Sequence, residues 1–231
     1  MATETNITRL MTVAKGLGPL RNDVAFVGGA VVGLYATDPA ATEIRSTDDV
    51  DCVIEVSSQV EYNALEEELR SLHFHNDTTI GAPLCRWKFK DITVDVMPTD
   101  PSILGFTNKW YAEGLSRALD QLLPDGTSIK ILPSPYFLAS KLEAYKGRGN
   151  GETRTSPDIE DLVYVLDNRG EVANEVVDSD EPLRKYLAHE FRLLLEDASI
   201  DEAIASALSF GAGGSQVAKV KHILQKLAGT E

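Results

Sequence analysis

Two carboxylates stand two residues apart in Thr47-Asp48-Asp49-Val50-Asp51-Cys52-Val53-Ile54-Glu55-Val56, a stretch that reads as a strand. Side chains at i and i+2 of a strand point to one face. Asp49 and Asp51 therefore project together, with Val50, Cys52, Ile54 and Val56 turned to the core. At about 4 Å and an effective dielectric near 20, two unit charges repel by roughly 4 kcal/mol. A divalent cation reverses that penalty, and hard Mg²⁺ prefers carboxylate oxygens. A third carboxylate, Asp95, lies in Ile92-Thr93-Val94-Asp95-Val96-Met97, where Ile92, Val94 and Val96 share the other face. Alone, an edge-strand Asp facing water is the commoner case. Beside Asp49 and Asp51, three carboxylates on adjacent strands could hold two metal ions for phosphoryl chemistry.

Gly28-Gly29 supplies a complementary part. It follows the apolar strand Asp23-Val24-Ala25-Phe26-Val27 and opens a helix, Ala30-Val31-Val32-Gly33-Leu34-Tyr35. Glycines let a phosphate approach the backbone, and free N–H groups of a first helical turn bind anions. A tight strand-to-helix turn with no ligand is the plainer alternative. The run Gly28-Gly29-Ala30-Val31-Val32-Gly33 lacks the G-x-G-x-x-G spacing of a dinucleotide turn, and here a carboxylate pair opens a strand where that turn needs one acid at a strand's end. Further along, Lys141, Tyr145 and Arg148 fall on one helix face at i, i+4 and i+7. Lys141 either reaches a triphosphate or snorkels to water along an apolar stripe; for Arg148 the solvated reading is favoured. Asp158, just after Ser156-Pro157, would by itself only complement a helix dipole. The four histidines, at 73, 75, 189 and 222, do not form a metal spacing with the cysteines, and His73-Phe74-His75 reads as an exposed strand pair.

The elements that must position these groups form an α/β half of mixed sheet and flanking helices over residues 1–132, then a helical bundle over 133–231. A first helix covers roughly 6–16, and Ala36–Ser46 is a polar connection. Ser58 with Glu61 is a capping-box signal before the stripe Val60, Leu65, Leu69, Leu72. Strands follow near 84–89 and 92–97, a helix over 107–123, and a short strand at Ile129-Lys130-Ile131-Leu132. Ser134-Pro135 and Ser156-Pro157 each read as an N-cap with proline at the first helical position. Later helices run near 180–196, 200–209 and 214–228, with Gly211-Ala212-Gly213-Gly214 separating the last two.

Composition narrows the class. A net charge of −14 disfavours a protein wrapped broadly in nucleic acid, although Arg86, Lys88 and Lys90 form one local basic segment and Lys141, Lys146, Arg148 and Arg154 another. Lys146 and Arg154 read as scattered surface charges. No apolar run of membrane-spanning length exists, and Met1-Ala2-Thr3-Glu4-Thr5 lacks the regions of a signal peptide, so cytoplasmic residence is expected. Cys52 and Cys85 read as two reduced core thiols.

Gly-Gly, then hydrophobic-Asp-hydrophobic-Asp-hydrophobic, then a third strand Asp, resembles the signature of the DNA polymerase β-like nucleotidyltransferase superfamily. Lys141-Leu142-Glu143-Ala144-Tyr145-Lys146-Gly147-Arg148 fits K-x₆-R, and Ser156-Pro157-Asp158-Ile159-Glu160-Asp161-Leu162 fits S-x-D-x-x-D-L. Together these look like the abortive-infection nucleotidyltransferases of type IV toxin–antitoxin systems, over about residues 24–166. Two departures are visible: 19 residues separate Gly29 from Asp49, longer than the usual interval, and Gly29 stands where serine is commoner.

The resemblance implies transfer of NMP from an NTP to an acceptor hydroxyl on RNA, tRNA or a protein, with Mg²⁺ as cofactor (two ions), and an antitoxin partner. It implies metal ligation by Asp49, Asp51 and Asp95, phosphate positioning by Gly28 and Gly29, charge neutralisation by Lys141 and a nucleotide contact from Arg148. It gives Asp158 a site role, holding Lys141 or Arg148, which Asp161 could share. A small-molecule acceptor such as an antibiotic, or a degenerate fold that binds a nucleotide or partner without turnover, are the alternatives.

Overall fold

A computed structural model of the chain describes residues 2–41, 44–148, 152–208 and 213–229, with side chains from residue 6 onward. The glycine break at Gly211-Ala212 lies outside them. Contacts divide the chain into two compact units. One comprises Met1–Val31 with Arg45–Pro133, and the other Val32–Ile44 with Ser134–Glu231.

The first unit is built on a seven-stranded mixed sheet. Its strands are β1 (Val24–Val27), β2 (Asp49–Ile54), β3 (His75–Asn76), β4 (Arg86–Phe89), β5 (Ile92–Pro98), β6 (Leu119–Leu122) and β7 (Ser128–Ile131), in the order β3-β4-β5-β2-β1-β7-β6. β2 runs parallel to β5 and antiparallel to β1. Every residue of β1 is buried, as expected of a central strand covered on both faces. In β2 the alternation puts Val50 and Cys52 in the core and leaves Asp49 and Asp51 half-buried on the opposite face. The unit also carries helices α1 (Ala2–Leu17), α2 (Gln59–Ser71), α3 (Pro101–Leu104) and α4 (Tyr111–Ser116). Ser58 Oγ accepts from Glu61 N (3.2 Å), and Glu61 reaches back to Ser57 N (2.8 Å), so the capping box closes one residue earlier than its simplest form.

Three expectations are corrected here. Residues 107–123 are not one helix: helical structure is limited to α4, and Leu119–Leu122 is an edge strand paired antiparallel with β7. The turn Leu123-Pro124-Asp125-Gly126-Thr127 decides it. Gly126 has φ +83°, Asp125 accepts from Thr127 N, and the chain folds back into cross-strand pairing. His73 is not in a strand with His75; it sits at φ 66° in the turn after α2. The helix expected after Gly28-Gly29 is a 3₁₀ segment, Gly29–Tyr35.

The second unit is helical: α5 (Ser134–Gly147), α6 (Pro157–Asn168), α7 (Val172–Val177), α8 (Glu181–Glu196), α9 (Ile200–Ala207) and α10 (Gly214–Ala228). Phe137, Leu138, Leu162, Leu166, Leu187 and Phe191 are fully buried at its centre. Ser156 caps α6, accepting from Ile159 N (3.4 Å). Ser134 differs, because its hydroxyl bonds to the Glu175 carboxylate. Residues 32–44 are held within this unit. Thr37 N and Asp38 N donate to Asn168 O (2.9 and 3.1 Å), and Arg169 Nη1 donates to Tyr35 O (3.0 Å). The Tyr35 ring packs on Phe137 at 4.5 Å between centroids. None of the described helices is long and apolar enough to cross a membrane.

Candidate metal centre

Register brings the three aspartates together. The parallel pairing of β2 with β5 sets Asp51 opposite Asp95 and Asp49 opposite Thr93. Directly paired residues share a face, so Asp49, Asp51 and Asp95 project to one side of the sheet. Each offers a carboxylate oxygen within 4.8 Å of the others, a geometry that could hold a metal ion. Asp95 is the most enclosed, at 8% exposure.

Each strand's neighbours shape the cluster. β1 pairs Val27 with Asp51, and Gly28 follows at φ +72°. A Cβ there would lie 1.8 Å from Asp51 Oδ2 and 2.7 Å from its Cγ. Gly28 is therefore required twice, by its left-handed backbone and by the carboxylate lying against it. Gly29 is less constrained, since the tight neighbour of a Cβ would be the movable end of Arg45, at 2.8 Å from Nη2, with Thr47 Cβ at an ordinary 3.5 Å. Thr47 Oγ1 donates to Asp49 Oδ1. The run-in to Asp49 is braced from α1: the buried Asn6 amide donates to Arg45 O (3.0 Å) and accepts from Thr47 N (3.1 Å). Arg9 donates to Thr47 O and pairs with Asp48 (3.3 Å), so Asp48 is a surface acid outside the cluster.

Arg86 is the residue that sequence reasoning left out of the site. On β4 it lies opposite Asp95, and its guanidinium forks onto both carboxylate oxygens: Nε to Oδ1 at 2.8 Å and Nη2 to Oδ2 at 2.7 Å. The bond to Asp95 holds the guanidinium charged even more firmly than usual, and the Asp49 charge adds to this. The signal was present in the alternation Arg86-Trp87-Lys88-Phe89, with Trp87 and Phe89 buried. Lys88, on the same face, donates to Thr93 Oγ1 at 2.7 Å. Cys52 and Cys85 are free and buried. Burial, then the nearby Asp95 charge, push the Cys85 thiol up to about 11. Burial and the Asp51 and Asp95 charges raise Cys52 as well. Both stay protonated near neutral pH and contribute no soft ligand. The donor set is hard oxygen, which fits Mg²⁺.

The helical unit holds the other residues singled out from sequence. Lys141 Nζ, 6% exposed as a residue, lies 2.6 Å from Asp161 Oδ2 and 3.4 Å from Asp158 Oδ1. Arg148 Nη1 pairs with Asp158 Oδ2 at 2.7 Å. Both aspartates are buried, and the Lys141 ammonium also lies 5.7 Å from the Phe137 ring centre. Two cations and two anions thus form a balanced set joining α5 to α6. Lys146 bonds to Glu190 (2.6 Å) and Arg154 to Glu202 (3.0 Å), as surface-facing charges.

No protein-family model and no curated protein matches the chain. Among solved structures, it is similar to the crystal structure of an antigenic nucleotidyltransferase-like protein from Paracoccidioides brasiliensis. The TM-score is 0.53 at 19% identity, covering 93% of this chain and 99% of that one. The fold is nucleotidyltransferase-like. Within that nucleotidyltransferase-like fold, the in-register Asp49, Asp51 and Asp95 cluster is a group able to take a divalent cation.

Proposed function

We propose that this protein is a Mg²⁺-dependent nucleotidyltransferase that moves NMP from an NTP to an acceptor hydroxyl on RNA, tRNA or a protein. The observation that carries the reading is the placement of Asp49, Asp51 and Asp95 side by side on β2 and β5 of a nucleotidyltransferase-like fold. Bound Mg²⁺ would supply charge neutralisation at the phosphates and activation of the acceptor hydroxyl. Asp49, Asp51 and Asp95 would hold the ions, Asp95 serving activation of the acceptor hydroxyl. The acceptor oxygen forms a bond to the α-phosphorus, the bond to the β-phosphate oxygen breaks, pyrophosphate leaves and the hydroxyl proton passes to water. The protein's part is positioning and electrostatics.

Gly28 serves this chemistry first by admitting the Asp51 carboxylate. A phosphate-positioning role for Gly28 and Gly29, triphosphate neutralisation by Lys141 and a nucleotide contact from Arg148 belong to the same proposal. Asp158 and Asp161 fix the Lys141 ammonium in place, so any charge it offers a nucleotide is already partly matched. A cytoplasmic setting, an antitoxin partner and membership of the toxin group are its further parts.

The test is label transfer. Each α-labelled NTP is incubated with the protein, Mg²⁺ and total RNA or cell extract, beside Asp49→Ala/Asp51→Ala. Transfer that vanishes in the variant supports the reading. Saturable nucleotide binding with no transfer across a wide acceptor range overturns it in favour of a nucleotide-binding protein.

A further inference from the structure

We propose that Arg86 is a resident counter-charge for Asp95 that competes with divalent cations and sets the affinity of the metal position that uses Asp95. This rests on reading Asp49, Asp51 and Asp95 as metal ligands. Asp49 and Asp95 are held differently. Asp49 accepts from a neutral hydroxyl, Thr47 Oγ1. Asp95 accepts on both oxygens from a guanidinium, at 2.8 and 2.7 Å. Planar bidentate pairing is the strongest arrangement open to an arginine and a carboxylate. A cation that takes an Asp95 oxygen shares it with a donor already carrying a full positive charge. Arg86 is positioned for this by the backbone: β4 lays it opposite Asp95, which lies opposite Asp51, in one row across three strands. Its side chain is 31% exposed, so solvent screens the repulsion in part and leaves it effective at this range. Lys88, two residues on, is spent on Thr93 and Asp77.

Arg86 is thus a positioning residue, and its effect is read on the cation directly. The experiment is Mn²⁺ titration by calorimetry on the full chain, comparing the unmodified protein with Arg86→Gln, Arg86→Lys and Asp95→Asn, with no nucleotide present. The expected isotherm has a step lost in Asp95→Asn. Arg86→Gln tightens that step about tenfold, while Arg86→Lys, which keeps the charge, stays near the unmodified value. If Arg86→Gln does not fold, Arg86→Met, which keeps the packed stem, replaces it. An Asp95-dependent step that is unchanged or weaker in the neutral variants overturns the Arg86 role and leaves the metal reading standing. Loss of every step that depends on Asp49 and Asp51 in the unmodified protein overturns both.

Discussion

Gly28 and Asp51 touch so closely that any side chain on residue 28 would overlap the carboxylate, with a Cβ 1.8 Å from Oδ2. A Gly28→Ala variant is expected to lose at least 1–2 kcal/mol from the left-handed backbone alone. It must also push Asp51 out of line with Asp95. Urea unfolding measures the first effect and loss of Mn²⁺ binding the second. Gly29→Ser is the control: its neighbour is the movable end of Arg45, so stability should change by less than about 1 kcal/mol.

Lys141 joins two buried carboxylates, and removing one partner strands a charge. Lys141→Met is expected to cost about 3–5 kcal/mol, and Asp161→Asn a similar amount. The double variant should recover part of the loss, because the remaining Asp158 keeps Arg148. Chemical denaturation of the four proteins closes the cycle. Additive losses would show that the 2.6 Å contact carries no coupling.

The helical unit should be acid-sensitive. Bonds from Arg169, and from Ser134, hold the Glu175 carboxyl below its ordinary 4.5. Bonds from Thr153 and the Ser199 backbone lower Asp197 in the same way. A carboxyl with a depressed folded value binds fewer protons folded than unfolded. Its contribution is present above the ordinary carboxylate range and is lost as pH falls through the depressed value. Midpoint denaturant concentration, followed by helical circular dichroism from pH 7 to pH 3, should fall steeply below about pH 4.5. Glu175→Gln should flatten that slope.

Cation removal gives a fourth outcome. Binding to the folded chain alone stabilises by about 2.7 kcal/mol when the cation stands at 100 times its dissociation constant. Adding Mg²⁺ or Mn²⁺ to chelator-treated protein should raise the melting temperature. The same addition to Asp49→Ala/Asp51→Ala should leave it unchanged, and an equal rise there would place the cation elsewhere.

What the sequence made legible was local. Period-two alternation separated Asp49 and Asp51 from Val50 and Cys52, and did the same for Asp95, because strand faces are decided residue by residue. The partnership of Asp95 with Arg86 was not legible, because it depends on which strands pair and in what register. Leu119–Leu122 was misread as helix for the same reason: an edge strand with half-exposed leucines takes its conformation from β7. Ala36–Ser46 read as a polar connection, yet its Thr37 and Asp38 bond to Asn168 far along the chain. Long-range backbone bonds leave no periodic trace. The contact of Lys141 with Asp158 was expected only from the family resemblance, and Asp161 one turn later takes the shorter contact.

The Arg86–Asp95 contact also has a consequence in time. The two residues are nine apart on one hairpin, closed by a two-residue turn in which Lys90 takes φ 53°. Hairpins close in about 1–10 μs, whereas parallel pairing such as that of β2 with β5 must first close a long loop. Local closure before long-range pairing would bring Asp95 to the acidic strand already carrying its cation. The pairing of β2 with β5 would then join the acidic strand to a neutral pair, rather than to a third like charge.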